Sequence, residues 1–449
     1  MRTVFPMRAV APKVWLSSRA IGLLLGIALL LALASALPGL TIVFALATVV
    51  FVAAVAADVV LGPRSDSLSI ARRPVPPLAL GRMATLEYVL RNRGSIGVRV
   101  TLFESSVANV TFAATSLTVD IPARSEVFAT LALVPQERGR AHFGDIFVAL
   151  ENQLGLLRRR YRATAAEDVR IFPDLSAVED SGRLARRNTL IESGLRRLRR
   201  RGGGTEFESL REYLPGDGFR FIDWKATAHR GRMMVAQYEV ERSQNVIVAL
   251  DCGRLMTPRV GRGRKLDYAL TAALSVARIA DAASDNIGLV AFAGKTILDI
   301  APRRGAAALG ALARATYDLQ PRFEDPDYET TFTELRRRHS KRSLIILFTD
   351  IFDPVTSAAI LAGVAALIPR HVAMCVLMND RAVESALDEP PTTVSAAYRT
   401  SVAMTLADER AKAIAILRAR GIIVLDVPAD KLTIALMDAY LDVKVRGLL

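Results

Sequence analysis

From Ala20 to Ala57 the chain carries no charged residue. A run of that length must be shielded from water, by protein or by lipid. As one helix it would extend about 57 Å at 1.5 Å per residue, nearly twice a ~30 Å hydrocarbon core. Pro38-Gly39 falls near its middle and divides it into two shorter runs. The expectation is a helical hairpin, with spans at about 18–37 and 40–61 inside an N-terminal segment 1–64. Arg2, Arg8, Lys13 and Arg19 precede the first span, Arg64, Arg72 and Arg73 follow the second, and the turn has no cation. The positive-inside rule then puts both ends in the cytoplasm, so an inner (cytoplasmic) membrane protein with its bulk in the cytoplasm is expected. Trp15 is placed to reach the headgroup level. Ala34-Ser35-Ala36 resembles a signal-peptide cleavage site, but a second apolar span and basic residues follow directly, which argues for retention.

Beyond the hairpin the hydrophobic period shortens to two. Thr85 to Leu90, Val98 to Phe103, Val110 to Val119, Val127 to Val134 and Ile146 to Leu150 read as strands, with turns at Asn92-Arg93-Gly94 and Gln136-Glu137-Arg138-Gly139. Short strands without a long helix predict an immunoglobulin-like β-sandwich over 65–175. A basic linker helix is expected over 176–203. Arg183, Arg186, Arg187, Arg196, Arg197, Arg199, Arg200 and Arg201 face one acid, Glu192, with Leu184, Ile191, Leu195 and Leu198 at helical spacing.

The stretch from Gly204 to Gly231 interleaves charges with aromatics. Glu206, Glu208, Glu212, Asp217 and Asp223 alternate with Arg211, Arg220, Lys225 and Arg230 among Phe207, Tyr213, Phe219, Phe221 and Trp224. Pro215-Gly216-Asp217-Gly218 reads as a turn with its glycines at positive φ. Charges pair and aromatics seek burial, so a clamp of ion pairs on an aromatic base is expected, with Trp224 buried.

From Asn245 onward strands and helices alternate. Val246 to Leu250, Ile287 to Phe292, Leu344 to Phe348, Val372 to Leu377 and Ile422 to Leu425 are short apolar runs of buried strands. Helices are expected over Lys265 to Ala283, Gly305 to Leu319, Tyr328 to His339, Thr356 to Ile368, Leu406 to Arg420 and Lys431 to Tyr440. That order predicts an α/β doubly wound sheet, with ligands at the carboxyl ends of its strands. Asp251 and Asp350 end two of these strands, and two carboxylates with nearby hydroxyls suit Mg²⁺.

Several motifs in order carry a resemblance. They are Glu206-Phe207, Leu210-Arg211-Glu212-Tyr213, Pro215-Gly216-Asp217, Arg220, Ile222-Asp223-Trp224-Lys225-Ala226, Leu250 to Met256, Lys265 to Tyr268, Glu324 to Tyr328, Arg342-Ser343-Leu344 and Phe348-Thr349-Asp350. Together they resemble a bacterial membrane-protein family of unknown function, built on a von Willebrand factor A-like domain and associated with MoxR-type AAA ATPases. The resemblance covers 204–449 and implies a von Willebrand factor A-like domain there. Such domains hold a metal with D-x-S-x-S, a loop Thr and a later Asp. Here Asp251-Cys252-Gly253-Arg254-Leu255 keeps the Asp and lacks both serines, and Thr330 or Thr331 stands in for the loop Thr. The site therefore reads as degenerate. No cofactor is firmly expected, and Mg²⁺ binding is weak or absent. In such a degenerate site Asp251 and Asp350 cap helix N-termini or pair with Arg254.

Net charge is +14, which favours anionic partners. Cys252 and Cys375 lie in apolar runs, as buried free thiols of a reducing compartment do, and the four histidines lack ligand spacing. Phosphate-loop, zinc-protease and nucleophile-elbow motifs are missing. The expected function is a membrane-anchored protein-interaction adaptor or scaffold, not an enzyme. By the resemblance it works with a MoxR-type AAA ATPase in envelope-related assembly or stress response. Glu206, Arg211, Glu212, Tyr213, Pro215, Gly216, Asp217, Arg220, Asp223, Trp224 and Lys225 form its signature or partner surface. Lipid would be met through the hairpin and the basic linker. The alternatives are a metal-dependent hydrolase using Asp251 and Asp350, or nucleic-acid binding through the basic linker, which lacks a stacking platform.

Overall fold

The protein is described here from a computed structural model, in residues 7–8, 14–60, 62, 67–151, 154–174, 206–215, 217–239, 244–261, 263–351, 354–368, 370–379 and 381–448. The chain divides into two compact units, Met1–Phe172 and Pro173–Leu449. The expected linker helix over 176–203 lies outside the described residues.

In the first unit, α1 (Ser18–Ala36) and α2 (Thr41–Val60) are joined by a single 3-10 turn, Pro38–Leu40. Pro38 cannot continue α1, because it lacks the N–H that a helix interior requires. Ser17 caps α1, its Oγ accepting from Ala20 N at 3.2 Å. Both helices are long and apolar enough to cross a membrane. Leu25, Leu29, Ile42, Leu46 and Val49 point outward from them. The base of the hairpin is tied to the strands beside it. Buried Asp58 accepts from Leu156 N and Leu157 N at 3.2 and 2.9 Å. Trp15 lies under the Arg160 guanidinium, 3.9 Å from ring centroid to Cζ.

Those strands form the expected sandwich. They are β1 (Met7–Arg8), β2 (Val14–Leu16), β3 (Leu68–Arg72), β4 (Leu78–Ala79), β5 (Ala84–Asn92), β6 (Val98–Phe103), β7 (Val110–Phe112), β8 (Leu117–Ile121), β9 (Glu126–Pro135), β10 (Gly139–Phe143), β11 (Ile146–Glu151), β12 (Leu157–Ala163) and β13 (Glu167–Phe172). One sheet has the order β1-β12-β11-β6-β8, a second β3-β5-β9-β7 and a small third β10-β13-β4. Alternate residues such as Leu86, Tyr88 and Leu90 face the core with Val98, Val100 and Leu102, the period-two pattern of half-buried strands. The single strand expected over Val110 to Val119 is two. Phe112 pairs within one sheet and Leu117 within another, so the chain changes sheets between them. Asn92 makes the expected turn by accepting from Gly94 N through its own Oδ1 at 2.9 Å. Arg72, buried in this core, is paired with Glu104, which also accepts from Tyr88 Oη at 2.6 Å.

The second unit begins with a hairpin, β14 (Glu206–Glu212) and β15 (Met234–Glu239), linked through a 3-10 turn at Phe219–Phe221 and α3 (Trp224–Arg230). After it come β16 (Asn245–Asp251), a minor hairpin of β17 (Arg259–Val260) and β18 (Gly263–Arg264), α4 (Lys265–Ala282), β19 (Asn286–Phe292), β20 (Thr296–Arg303), α5 (Ala306–Thr316), α6 (Tyr328–Arg338), β21 (Ser343–Phe348), α7 (Pro354–Ala365), β22 (Val372–Asn379), α8 (Arg381–Asp388), α9 (Val394–Ala419), β23 (Ile423–Pro428) and α10 (Leu432–Val445).

The main sheet has the order β20-β19-β16-β21-β22-β23. All neighbours are parallel except β20, which runs antiparallel to β19 at one edge. α4, α5 and α10 cover one face through Leu266, Leu270, Leu312, Leu436 and Tyr440. α6, α7 and α9 cover the other through Phe332, Leu335, Ile360, Val364 and Leu417. The central strands bury both faces, which is why they are continuous apolar runs. The expected order lacks β20, α8 and the small β17–β18 hairpin, and α9 starts at Val394 instead of Leu406.

Candidate functional site

The strand order makes β16 and β21 neighbours, with Leu250 opposite Phe348, so Asp251 and Asp350 leave adjacent carboxyl ends as expected. Both are fully buried. Asp251 Oδ1 accepts from Gly253 N at 2.6 Å. Its Oδ2 accepts from Thr349 Oγ1 at 2.6 Å and from Tyr328 Oη at 2.8 Å. Burial raises the Asp251 pKa, the three hydrogen bonds oppose that rise, and nearby Asp350 adds to it. Burial followed by the charge of Asp251 raises the Tyr328 phenol well above its ordinary value. The hydroxyls that serve Asp251 are therefore those of Tyr328 and Thr349. Thr330 is exposed and donates its N–H to the α6 cap Asp327, while Thr331 is buried within α6.

Asp350 is held by two cations. The Lys265 ammonium, itself fully buried, is paired with Oδ2. Arg410 Nη1 donates to Oδ1 at 2.7 Å and to Ile351 O at 2.7 Å, and its Nη2 donates to Asp426 Oδ1 at 2.8 Å. Burial works against the Arg410 charge, but Asp350 and Asp426 outweigh it and hold the pKa above the ordinary guanidinium value. Among the described residues neither carboxylate caps a helix or meets Arg254. That guanidinium reaches outward to Asp325 at 2.5 Å.

These residues do not fit a divalent cation, which wants about six oxygen ligands. One oxygen of Asp350 faces an ammonium and the other a guanidinium. Position 253 has no space for a serine side chain, since a Cβ there would lie 2.8 Å from Glu324 O and 2.9 Å from Pro326 Cδ. The 324–326 loop is held against it, with Arg254 N donating to Glu324 O at 2.9 Å. Leu255 offers no oxygen. The cluster is instead an internal network in which Lys265 and Arg410 pair with Asp350, and hydroxyls and a backbone N–H hold Asp251.

Lys265 and Arg410 were not among the expected site residues. Arg410 carries no sequence signal, lying 60 residues beyond its partner Asp350. Lys265 had one only as the first residue of the Lys265 to Tyr268 motif, since it follows Arg262-Gly263-Arg264 and reads locally as part of a basic loop. Motifs far apart in the chain meet here: Asp251 to Met256, Lys265, Tyr328 and Thr349-Asp350. Cys252 and Cys375 are both buried free thiols, and burial pushes Cys375 up to about 12.

The interleaved stretch forms a different kind of site. Arg211 makes a two-pronged pair with Asp217, at 2.7 and 2.6 Å, across the turn. Asp217 also accepts from Leu214 N at 2.8 Å, and Arg211 followed by this N–H draws its pKa down to about 2. Glu212 pairs with Arg232, and Tyr213 stacks on Phe219 with centroids 6.0 Å apart. Arg220 lies over the Phe221 ring at 4.6 Å. Asp223 caps α3, accepting from Lys225 N and Ala226 N at 3.0 and 2.9 Å, so it does not pair with Arg220. Pro215 and Lys225 are exposed, and Glu206 enters β14 opposite Glu239. Gly216 lies outside the described residues. Gly218 is extended at φ −72°, contrary to the expected positive φ.

The ion-paired clamp is thus present, but its aromatic base is not buried. Phe219 is 72% exposed, Trp224 68% and Leu214 61%, with Met233 beside them at 45%. A two-stranded hairpin with one seven-residue helix has too little interior for five aromatics. Ile222, Met234, Val235 and Ala236 take the buried positions instead.

The uncharacterized protein Rv1480 of Mycobacterium tuberculosis (strain ATCC 25618 / H37Rv) is 24% identical over 186 residues, 41% of this chain and 58% of that protein. Uncharacterized protein Mb1516 of Mycobacterium bovis gives the same figures. The chain thus spans somewhat over half the length of these relatives. Uncharacterized protein YeaD of Bacillus subtilis (strain 168) is 42% identical over 43 residues, 10% of this chain and 11% of that protein. Among solved structures, the CARDB domain of PF1109 from Pyrococcus furiosus is 17% identical, covers 23% of this chain and 94% of its own, and superposes with a TM-score of 0.16. PapD-like domain 7 of human CEP192 is 12% identical, covers 23% of this chain and 84% of its own, and has a TM-score of 0.18. At these scores neither adds to the sandwich read from strand pairing. Over residues 209–410, which hold both the clamp and the strand-end cluster, the chain matches the family described as Protein of unknown function DUF58.

Proposed function

We propose that this chain is a membrane-anchored adaptor whose second unit binds other proteins and carries out no reaction of its own. The observation that carries this reading is that Leu214, Phe219, Trp224 and Met233 are all exposed within the short segment that also holds the Arg211–Asp217 pair. Large aromatics next to a paired arginine are what protein interfaces concentrate, and contiguous apolar exposure is otherwise avoided. The strand order with an antiparallel edge supports reading residues 245–448 as von Willebrand factor A-like. A MoxR-type AAA ATPase is the partner that the sequence resemblance suggests, with envelope-related assembly or stress response as the setting.

The hydrolase alternative draws no support from the site. Asp251 and Asp350 are sealed from solvent and their oxygens are occupied, so neither is placed to activate water or hold a metal. Nucleic-acid binding through the basic linker concerns residues outside the described set. The hairpin of α1 and α2 supports membrane anchoring, and the basic residues that flank it in the sequence support placing both ends on the cytoplasmic side. The reading is tested with a reporter enzyme fused after Leu449 or inserted at Gly39 in the intact chain. Cytoplasmic behaviour of the first and exported behaviour of the second are expected. A mature N-terminus generated near Leu37 would contradict it.

A further inference from the structure

Parallel neighbours in a sheet put the loops that enter them on one edge, and at β21, β22 and β23 those loops are basic. Arg336-Arg337-Arg338-His339-Ser340-Lys341-Arg342 closes α6 and leads into β21. Arg370-His371 precedes β22, and Arg420 precedes β23. Every arginine and the lysine among these residues is exposed. Asp299 and Glu334 both pair with Arg338. Arg336 and Arg342 are steadied by carbonyls, donating to Ala366 O at 3.3 Å and to Leu448 O at 3.0 Å.

His371 registers the combined field. It is 3% exposed, and neither ring nitrogen has a hydrogen-bond partner. Burial, then Arg370, His339, Arg342 and Arg336, push its pKa down to about 4. Cations from two successive loops therefore converge on one buried imidazole. None of these residues is aromatic, so there is no platform on which bases could stack. What the edge offers is a row of guanidinium groups spread over three loops, which suits a broad, diffuse anionic surface better than a single small ligand.

We propose that the amino-terminal edge of the six-stranded sheet is a docking surface for an anionic phospholipid bilayer, with Arg336, Arg337, Lys341, Arg342, Arg370 and Arg420 as its contacts. The inference rests on the reading that α1 and α2 anchor the chain, which tethers the second unit covalently to a bilayer. Attraction of clustered cations to an anionic leaflet adds residue by residue and fades within a Debye length, so it is abolished by salt.

The test uses the full chain with Ser340→Cys as a labelling site, since both native cysteines are buried. The labelled protein is reconstituted into phosphatidylcholine vesicles with or without phosphatidylglycerol, each carrying a headgroup quencher. Quenching several-fold stronger in the anionic vesicles is expected. It should be lost at high salt and in the Arg337→Gln/Arg342→Gln/Arg370→Gln variant. It should persist in Arg82→Gln/Arg91→Gln/Arg93→Gln, which removes the same charge from exposed positions of the first unit. Equal quenching in both vesicle types would overturn the proposal. So would duplex DNA, in place of vesicles, binding the wild type but not the first triple variant while quenching ignores lipid charge. If the chain fails to insert at all, the anchoring reading fails instead. Flotation with anionic vesicles, lost in the first triple variant only, then still tests the edge.

Discussion

Lys265 places an ammonium in an interior where it meets no water, and Asp350 is the reason it can stay there. A buried ion pair adds little over an apolar pair, but breaking it leaves one charge stranded, at about 3–5 kcal/mol. Lys265→Met should approach the lower end, because Arg410 still holds the other oxygen of Asp350. Lys265→Met/Asp350→Asn should recover part of that loss. Urea unfolding of the two variants checks this, and strictly additive losses would show that the pair is not coupled. His371 makes a pH-dependent contribution. Its native pKa of about 4 lies below the unfolded value of about 6.5, so the unfolded chain takes up the proton first. The stability it contributes is complete above about pH 6.5 and is lost as pH falls towards 4. Replacing it with Asn should flatten the unfolding midpoint across that window, through which wild type should decline.

At the level of elements, close backbone approach and exposure give two opposite expectations. Gly253→Ala drives a Cβ into the backbone of the 324–326 loop and should cost about 1–3 kcal/mol, read as a lower melting temperature. Trp224→Ala should change stability by no more than about 0.5 kcal/mol, the usual range for surface substitutions. Reading the aromatic run as a buried base leads to the reverse expectation, and the error has a physical origin. Aromatic content says that a surface seeks cover, not whether the chain itself supplies it. Buried strands were legible because both faces are apolar. β20 was not, since Asp299 and Pro302 interrupt it and only one of its sides is paired within the sheet. The first turns of α9 do carry Val394, Tyr398 and Val402 at helical spacing, but Ser395, Thr400 and Ser401 among them dilute that signal, and the three apolar side chains are exposed. The strand-end carboxylates could be read from their position after apolar runs. The two cations on Asp350 come from 85 and 60 residues away, and only the fold brings them together.

For the whole molecule, an apolar hairpin and a clamp with uncovered aromatics are two surfaces seeking different environments, one lipid and the other protein. Metal has no part in this account. Millimolar Mg²⁺ or a chelator should leave the melting temperature and partner recovery of the detergent-solubilised chain unchanged. A metal-dependent rise in melting temperature that disappears in Asp350→Ala would contradict that. The most direct test of the adaptor reading compares wild type with Phe219→Ala/Trp224→Ala, each recovered as the intact chain from native membranes after mild cross-linking. The account predicts an unchanged melting temperature and a several-fold loss of co-recovered protein. An unchanged set of partners, or a variant that unfolds, would show that these aromatics serve the fold and not a partner.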